Sequence, residues 1–412
     1  MVAGWVLITS ALLYLLLLFG IASFGDRATK RGVDRGRPLI YALSLAVYCT
    51  SWTYFGGVGL AAQRGYEFLA IYIGPILVFT VGMPVLRRIV NLAKAEKLTS
   101  IADFIAARYG KNPTVAGIVA LIAVVGTIPY IALQLKAVSS SVTIIMTNTP
   151  LQANGSFFLT DISLIVALLL AGFAVIFGTR HTDATEHQDG LILAVATESL
   201  VKLLAITAVG LFATFVLFDG PGHLLQQASQ SETAMAALSH QTAPARWIVL
   251  TLLSAFAIVM LPRQFHVTVV ENRSERELNT ARYLFPLYLI AINLFVIPIA
   301  IAGILSLDRG SGDQFVLLLP LVNDISWLSL ATFIGGFSAA TAMVIVASVA
   351  VAIMISNDIV VPILLRQNMI RRGSDLSDFS GTLLNIRRTA IVGILLLGYA
   401  YYRSANIDAG LA

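Results

Sequence analysis

Charge is scarce in this 412-residue chain. Asp, Glu, Lys and Arg together make up 12% of it, against 58% hydrophobic residues and a mean hydropathy of +0.85. A soluble globular domain carries about 25% charged residues, so this composition excludes one and leaves a polytopic membrane protein. Cysteine is scarcer still. Cys49 stands alone, so no internal disulfide can form. Absent too are the HExxH, CxxC, P-loop and GxSxG patterns that carry zinc, thiol, nucleotide and acyl-transfer chemistry. The run Arg180 to Gln188 (RHTDATEHQ) collects acids and histidines, yet it reads as a polar turn and only superficially resembles a metal site. The expectation is a protein with no catalytic residues, no metal site and no cofactor.

What the chain does have is long apolar runs. Ten spanning segments are expected, at about 3–24, 38–63, 68–90, 113–147, 157–179, 189–218, 246–268, 283–306, 328–356 and 388–402. A spanning helix needs roughly 20 apolar residues, so 113–147 and 328–356 should tilt, kink or project. The net charge of +5 suggests nucleic acid until the charges are placed. Of the 27 lysines and arginines, 21 fall in the loops after the odd-numbered segments, the residues from Arg27 to Arg37 and Arg263 to Arg282 among them. Positive loops stay in the cytoplasm. The expected topology is therefore multi-pass in a bacterial inner membrane, with the N-terminus outside and no nucleic-acid partner. The first segment has no basic leader and reads as a retained anchor.

The stretch Ala42–Gly65 carries the most information. It is long enough to span, yet it packs Cys49, Thr50, Ser51 and Thr53 beside Gly56, Gly57 and Gly59. Non-helical backbone at membrane depth survives only inside protein or along a cavity, and secondary transporters hold solute and ion on such broken helices. The segment is expected to unwind near Cys49 to Gly57. Thr50, Ser51, Trp52, Thr53 and Tyr54 become candidate solute-binding residues, and Cys49 a candidate ion ligand through the freed backbone. In the ninth segment, Gly335-Gly336 allows close approach, while Ser338 and Thr341 share one face and are candidate ion ligands across a small cavity. Glu198 and Lys202 lie within the sixth segment. Intramembrane ionisable groups are costly and mark function by default; spaced four apart with the acid first, they can pair along one face, or Glu198 can carry a proton. Between segments three and four, Ser100 caps a short amphipathic helix with Asp103 three residues on. The outer loop 219–245 reads as solvated, with one helical turn.

Several stretches resemble the sodium:solute symporter family: Leu98 to Phe104 with Arg108-Tyr109, Tyr130 to Lys136, and Thr182-Asp183 with Gln188. A closer resemblance, through Tyr48–Gly56, Leu261–Val267, Gly336–Thr341 and Ser356–Asp358, is to the transporter-like N-terminal domain of CbrA-type bacterial sensor histidine kinases. The resemblance implies an all-α, leucine-transporter-like fold: an extra N-terminal helix (1–24), a first five-helix repeat over 38–218, and a second over 246–412 that lacks its last helix. It also implies a histidine-like or other amino-acid solute, with Na+ or H+ as coupling ion. Partners would be the small-molecule solute and membrane lipid, with a response regulator only through a kinase domain absent from these residues. Carriers of the family place two adjacent hydroxyl residues on the ninth helix as sodium ligands, and here Thr341 is followed by Ala342. On the seventh helix the only aromatic matching the family's solute contacts is Phe256. The expected function is a transport or sensing module, the input domain of a sensor histidine kinase; the alternative is a stand-alone sodium:solute symporter.

Overall fold

In the computed structural model, residues 4–30, 36–147, 161–179, 187–307, 310–366 and 376–405 are described. They are helical nearly throughout. Six helices among them are long and apolar enough to cross a membrane, or eight if each of two bent pairs is taken as one span. The turn with Thr182 and Asp183 lies outside the described residues.

Helix α1 (Gly4–Lys30) packs along α9 (Asp189–Leu211). The next span is broken. Helix α2 (Arg37–Ser44) tightens into a 3-10 turn at Leu45–Tyr48, and Cys49 is extended (φ −81°, ψ 95°). The chain then restarts as a π-helical turn at Trp52–Gly56 and continues as α3 (Gly57–Arg64). The break thus lies upstream of its expected centre, and Gly56 and Gly57 sit inside the resumed helix. Gly59, one turn on, lies so close to Asp313 that a Cβ would collide with its carboxylate.

Helix α4 (Ala70–Thr80) does not run straight on as expected. It ends at Val81-Gly82 and turns by 71° into α5 (Met83–Ala95), whose second residue is Pro84. Helix α6 (Ile101–Arg108) is capped by the Ser100 hydroxyl, which accepts the Asp103 N–H at 3.0 Å. The Asp103 carboxylate turns to Thr99, not to the Ser100 N–H that a full capping box needs. Helix α7 (Pro113–Thr147) has 35 residues. At 1.5 Å per residue that is about 52 Å, well beyond a hydrocarbon core of about 30 Å. Helix α8 (Ile162–Gly178) precedes α9.

The loop 219–245 holds two helices, α10 (Pro221–Gln230) and α11 (Glu232–Leu238), more order than the single turn expected. Helix α12 (Pro244–Met260) stops where Leu261 takes ψ 129° ahead of Pro262. A residue before proline is pushed out of the helical region, so the expected continuous span 246–268 is a second broken helix. It resumes as α13 (Pro262–Phe265) and a π-helical turn to Val270, bent by 56° from α12. Helices α14 (Glu275–Asn293), with a full Ser274–Glu277 capping box, and α15 (Val296–Ser306) form the next span, which starts earlier than the expected 283. After α16 (Phe315–Val322) comes α17 (Ser326–Met354), the most buried of the six long apolar spans among the described residues. A π-helical turn leads from it to α18 (Val361–Arg366), and α19 (Leu376–Ser404) follows.

Two broken spans separated by four others, the first entering from one side and its counterpart from the other, are the signature of inverted repeats. Charged residues tie the ends of both broken spans at one face. Arg37, at the start of α2, pairs with Asp189 on α9 and with Glu277 on α14 at 3.2 Å, and its guanidinium donates to the Glu271 carbonyl at 3.1 Å. Arg273 pairs with the same Asp189.

Candidate functional site

The first break is buried, and its freed backbone groups find partners from other helices. The Ser51 N–H donates to Gln134 Oε1 on α7 at 3.1 Å, and the Trp52 N–H to Thr50 Oγ1 at 3.3 Å. On the other side, Lys202 Nζ donates to the Ala46 carbonyl at 2.7 Å and to the Cys49 carbonyl at 2.6 Å. A buried polar group left unpartnered costs about 1–3 kcal/mol, so these four contacts are what allow the helix to stay open.

Lys202 and Glu198 are both fully buried on α9, as expected of intramembrane ionisable residues, but they do not pair with each other. Glu198 accepts the Thr341 hydroxyl on its carboxylate, and its carbonyl accepts Ser338 Oγ at 2.9 Å. The Tyr14 hydroxyl of α1 lies 2.8 Å from the same Ser338 Oγ. Ser338 and Thr341 therefore face α9 and Glu198, where the sequence placed them opposite the break. The Cys49 side chain is buried, and its contribution to the cradle is its carbonyl.

A cavity of about 620 Å³ lies between the two broken spans and α7. Of the residues expected to bind solute in the first broken span, Thr50, Trp52 and Thr53 line it; Ser51 and Tyr54 do not. The Ser51 hydroxyl is buried without a partner among the described residues. Tyr54 packs against Gly335 of α17 and stands edge-on to Phe55, which presses on Gly336. A Cβ on either glycine would strike those rings, so the close approach of α17 is a fact of packing. Phe256 is 59% exposed on the outward face of α12, away from the cavity. Spacing alone does not tell which side of α12 faces inward when every side is apolar.

Three residues with no expected role line or support the cavity. Arg263, counted from sequence among the loop cations, sits at the second break and is only 5% exposed. Its guanidinium lies 4.5 Å from the centre of the Tyr130 ring, and it has no carboxylate within ion-pair reach among the described residues. The Tyr130 hydroxyl lies 3.3 Å from Thr50 Oγ1, joining the two breaks through one side chain. Gln134, one turn along α7, holds Ser51. The signals were present as Pro262 directly before Arg263 and as a glutamine inside the apolar run of α7. Helix α6 also reaches the cavity through Ile101 and Ile105, and Ser100 donates to Asp358 beyond α17 at 3.1 Å. It is docked into the bundle and is more than a membrane-surface helix.

No family model matches the chain. Two curated proteins of Bacillus subtilis (strain 168) are similar. "Uncharacterized symporter YhjB" is 24% identical over 327 residues, 77% of this chain and 62% of the relative. "Uncharacterized symporter YodF" is 27% identical over 185 residues, 43% of this chain and 36% of the relative. The chain thus spans less than two thirds of the length of either. Among solved structures, a Na+-coupled sialic acid symporter in a substrate-bound outward-open state superposes with a TM-score of 0.65 and 13% identity, over 96% of this chain and 81% of that one. Such a likeness speaks to fold. With six to eight apolar spans and two broken helices, this chain is a multi-pass membrane protein of the leucine-transporter-like fold, similar to proteins named as symporters.

Proposed function

We propose that this chain is the translocation module of a cation-coupled symporter for a small, carboxylate-bearing solute of the amino-acid class. One observation carries the reading. Arg263, a buried guanidinium without a carboxylate partner among the described residues, borders a cavity formed where two helix breaks meet. A buried cation of this kind is costly unless a counter-charge arrives, and arginine's fork suits a carboxylate in two-point contact. Thr50 and Tyr130 supply hydroxyls beside it, and Trp52 an apolar wall. Alternating access would then proceed by rocking one repeat against the other around this site. The distribution of basic residues supports a cytoplasmic Arg37 cluster and an N-terminus outside.

Uptake into proteoliposomes tests this reading, with labelled amino acids, sugars and sialic acid offered under imposed ion gradients. Amino-acid uptake that Arg263→Gln abolishes is the expected result. Uptake of neutral sugars unaffected by Arg263→Gln sinks the solute assignment. A second reading, sensing for a histidine kinase, draws on Tyr48–Gly56 and Leu261–Val267. These two stretches resemble the sensor-kinase input domains, and they are the two that build the breaks. Under it the same cavity reports histidine-like solute to a kinase in a longer protein. Sequence encoded beyond Ala412 distinguishes the two roles.

A further inference from the structure

Sodium is the ion that this fold and its sequence resemblance bring to mind, and the break offers the right atoms for it. The Ala46 and Cys49 carbonyl oxygens point out of the unwound turn toward α9, with the hydroxyl-bearing face of α17 nearby. Hard cations favour such oxygens. Yet the residues around this cradle do not fit a metal ion. Lys202 Nζ already lies 2.7 Å from one carbonyl and 2.6 Å from the other. A hard cation such as calcium sits about 2.3–2.6 Å from its oxygen ligands, so a sodium ion on the same two oxygens would contend for the volume the ammonium fills. It would also meet a like charge in a buried setting. The hydroxyls of α17 that would complete a metal shell are turned to Glu198, and one of the two that the family's sodium site uses is missing. Thr341 donates to the Glu198 carboxylate, Ser338 donates to the Glu198 carbonyl, and position 342 is an alanine.

We infer that Lys202 is the built-in cation of this site: its ammonium stands where a metal ion would be bound, and the cradle between the first break and α17 takes no sodium. The inference rests on the transporter reading only for its consequence, which is that any cation driving uptake binds outside this cradle or is not sodium. The ionisable and charged groups acting on the ammonium are Cys49 at the break, Glu198 on its own helix and Arg263 on α13. Glu198, four residues before Lys202 on the same helix, offers the ammonium a counter-charge with no ion added.

Cys49 makes the test direct, because it is the sole cysteine and lies within the cradle. The rate of maleimide labelling at Cys49 in the purified chain reports how firmly the break is held, and 22Na+ binding reports the metal. Neither needs a solute, so a failed uptake assay leaves this test intact. In the unsubstituted chain, labelling should run at the same rate in sodium as in choline, with no saturable 22Na+ binding that Thr341→Ala removes. In Lys202→Ala, labelling should rise several-fold in choline, and sodium should slow it again by entering the vacated cradle. If Lys202→Ala does not fold, the unsubstituted chain decides alone. Sodium that slows its Cys49 labelling saturably, or 22Na+ binding lost in Thr341→Ala, overturns the inference. So does a Lys202→Ala variant whose Cys49 is as protected in choline as that of the unsubstituted chain.

Discussion

Glu198 and Lys202 show how far single residues can be read. Their depth in an apolar run and their i,i+4 spacing announced function, and both are fully buried. Their partners were not legible, because Ala46 and Cys49 contribute carbonyls that every residue possesses and that only the fold frees. The pairing expected along the helix face is replaced by two separate attachments, Lys202 to the break and Glu198 to Thr341. Lys202→Met therefore removes two donors and leaves Glu198 uncompensated. Breaking such a buried arrangement costs roughly 3–5 kcal/mol, and a large fall in detergent melting temperature is expected. The double substitution Glu198→Gln with Lys202→Met restores charge balance but not the two donors, so it should recover part of the loss. Full recovery would mean that the carbonyl contacts contribute nothing; no recovery would mean that the two charges do not communicate.

At the level of elements, the two broken helices were unequally readable, for opposite reasons. The first was announced by its hydroxyls and glycines, but it opens a turn early, at Leu45–Tyr48 and Cys49, where nothing local disfavours a helix. Tertiary partners hold it open: Gln134 on one side and Lys202 on the other. The second break was written plainly as Leu261-Pro262, since the residue before a proline leaves the helical region; a hydropathy window passes over it because both flanks are apolar. It follows that the first break depends on Gln134 more than on Gly56 or Gly57. Gln134→Leu leaves the buried Ser51 N–H without an acceptor, at a cost of about 1–3 kcal/mol. Maleimide labelling of Cys49 should quicken accordingly. A Gly57→Ala change meets no close obstacle, its Cβ lying 3.8 Å or more from its neighbours, and should leave labelling unchanged. The reverse ranking of the two variants would return the break to local glycine chemistry.

On the scale of the molecule, a multi-pass arrangement was legible, with six to eight long apolar spans among the described residues against the ten expected, whereas the closure that the charges form was not. Arg37, Asp189, Glu271, Arg273 and Glu277 come from three separate stretches of the chain and converge beside His187, whose Nδ1 is 3.7 Å from a Glu271 carboxylate oxygen. Glu271 is buried there, just past the second broken helix. Burial by itself pushes its carboxyl upward, but His187, His266 and the Gln188 N–H outweigh that and hold it below the ordinary carboxylate value. The sign follows from linkage. A carboxyl depressed in the folded state contributes stability that is fully present above its unfolded value of about 4.3 and is lost as pH falls through its folded value. The melting temperature of the purified chain should therefore hold steady above that range and drop on its acid side. Glu271→Gln keeps an acceptor for Gln188 but has no charge to titrate. It should lower the melting temperature at neutral pH and flatten the acid limb, so that the two proteins converge as pH falls. Parallel acid limbs with a constant offset would show that other carboxylates carry the acid response and that Glu271 does not help to hold the ends of the two broken helices together.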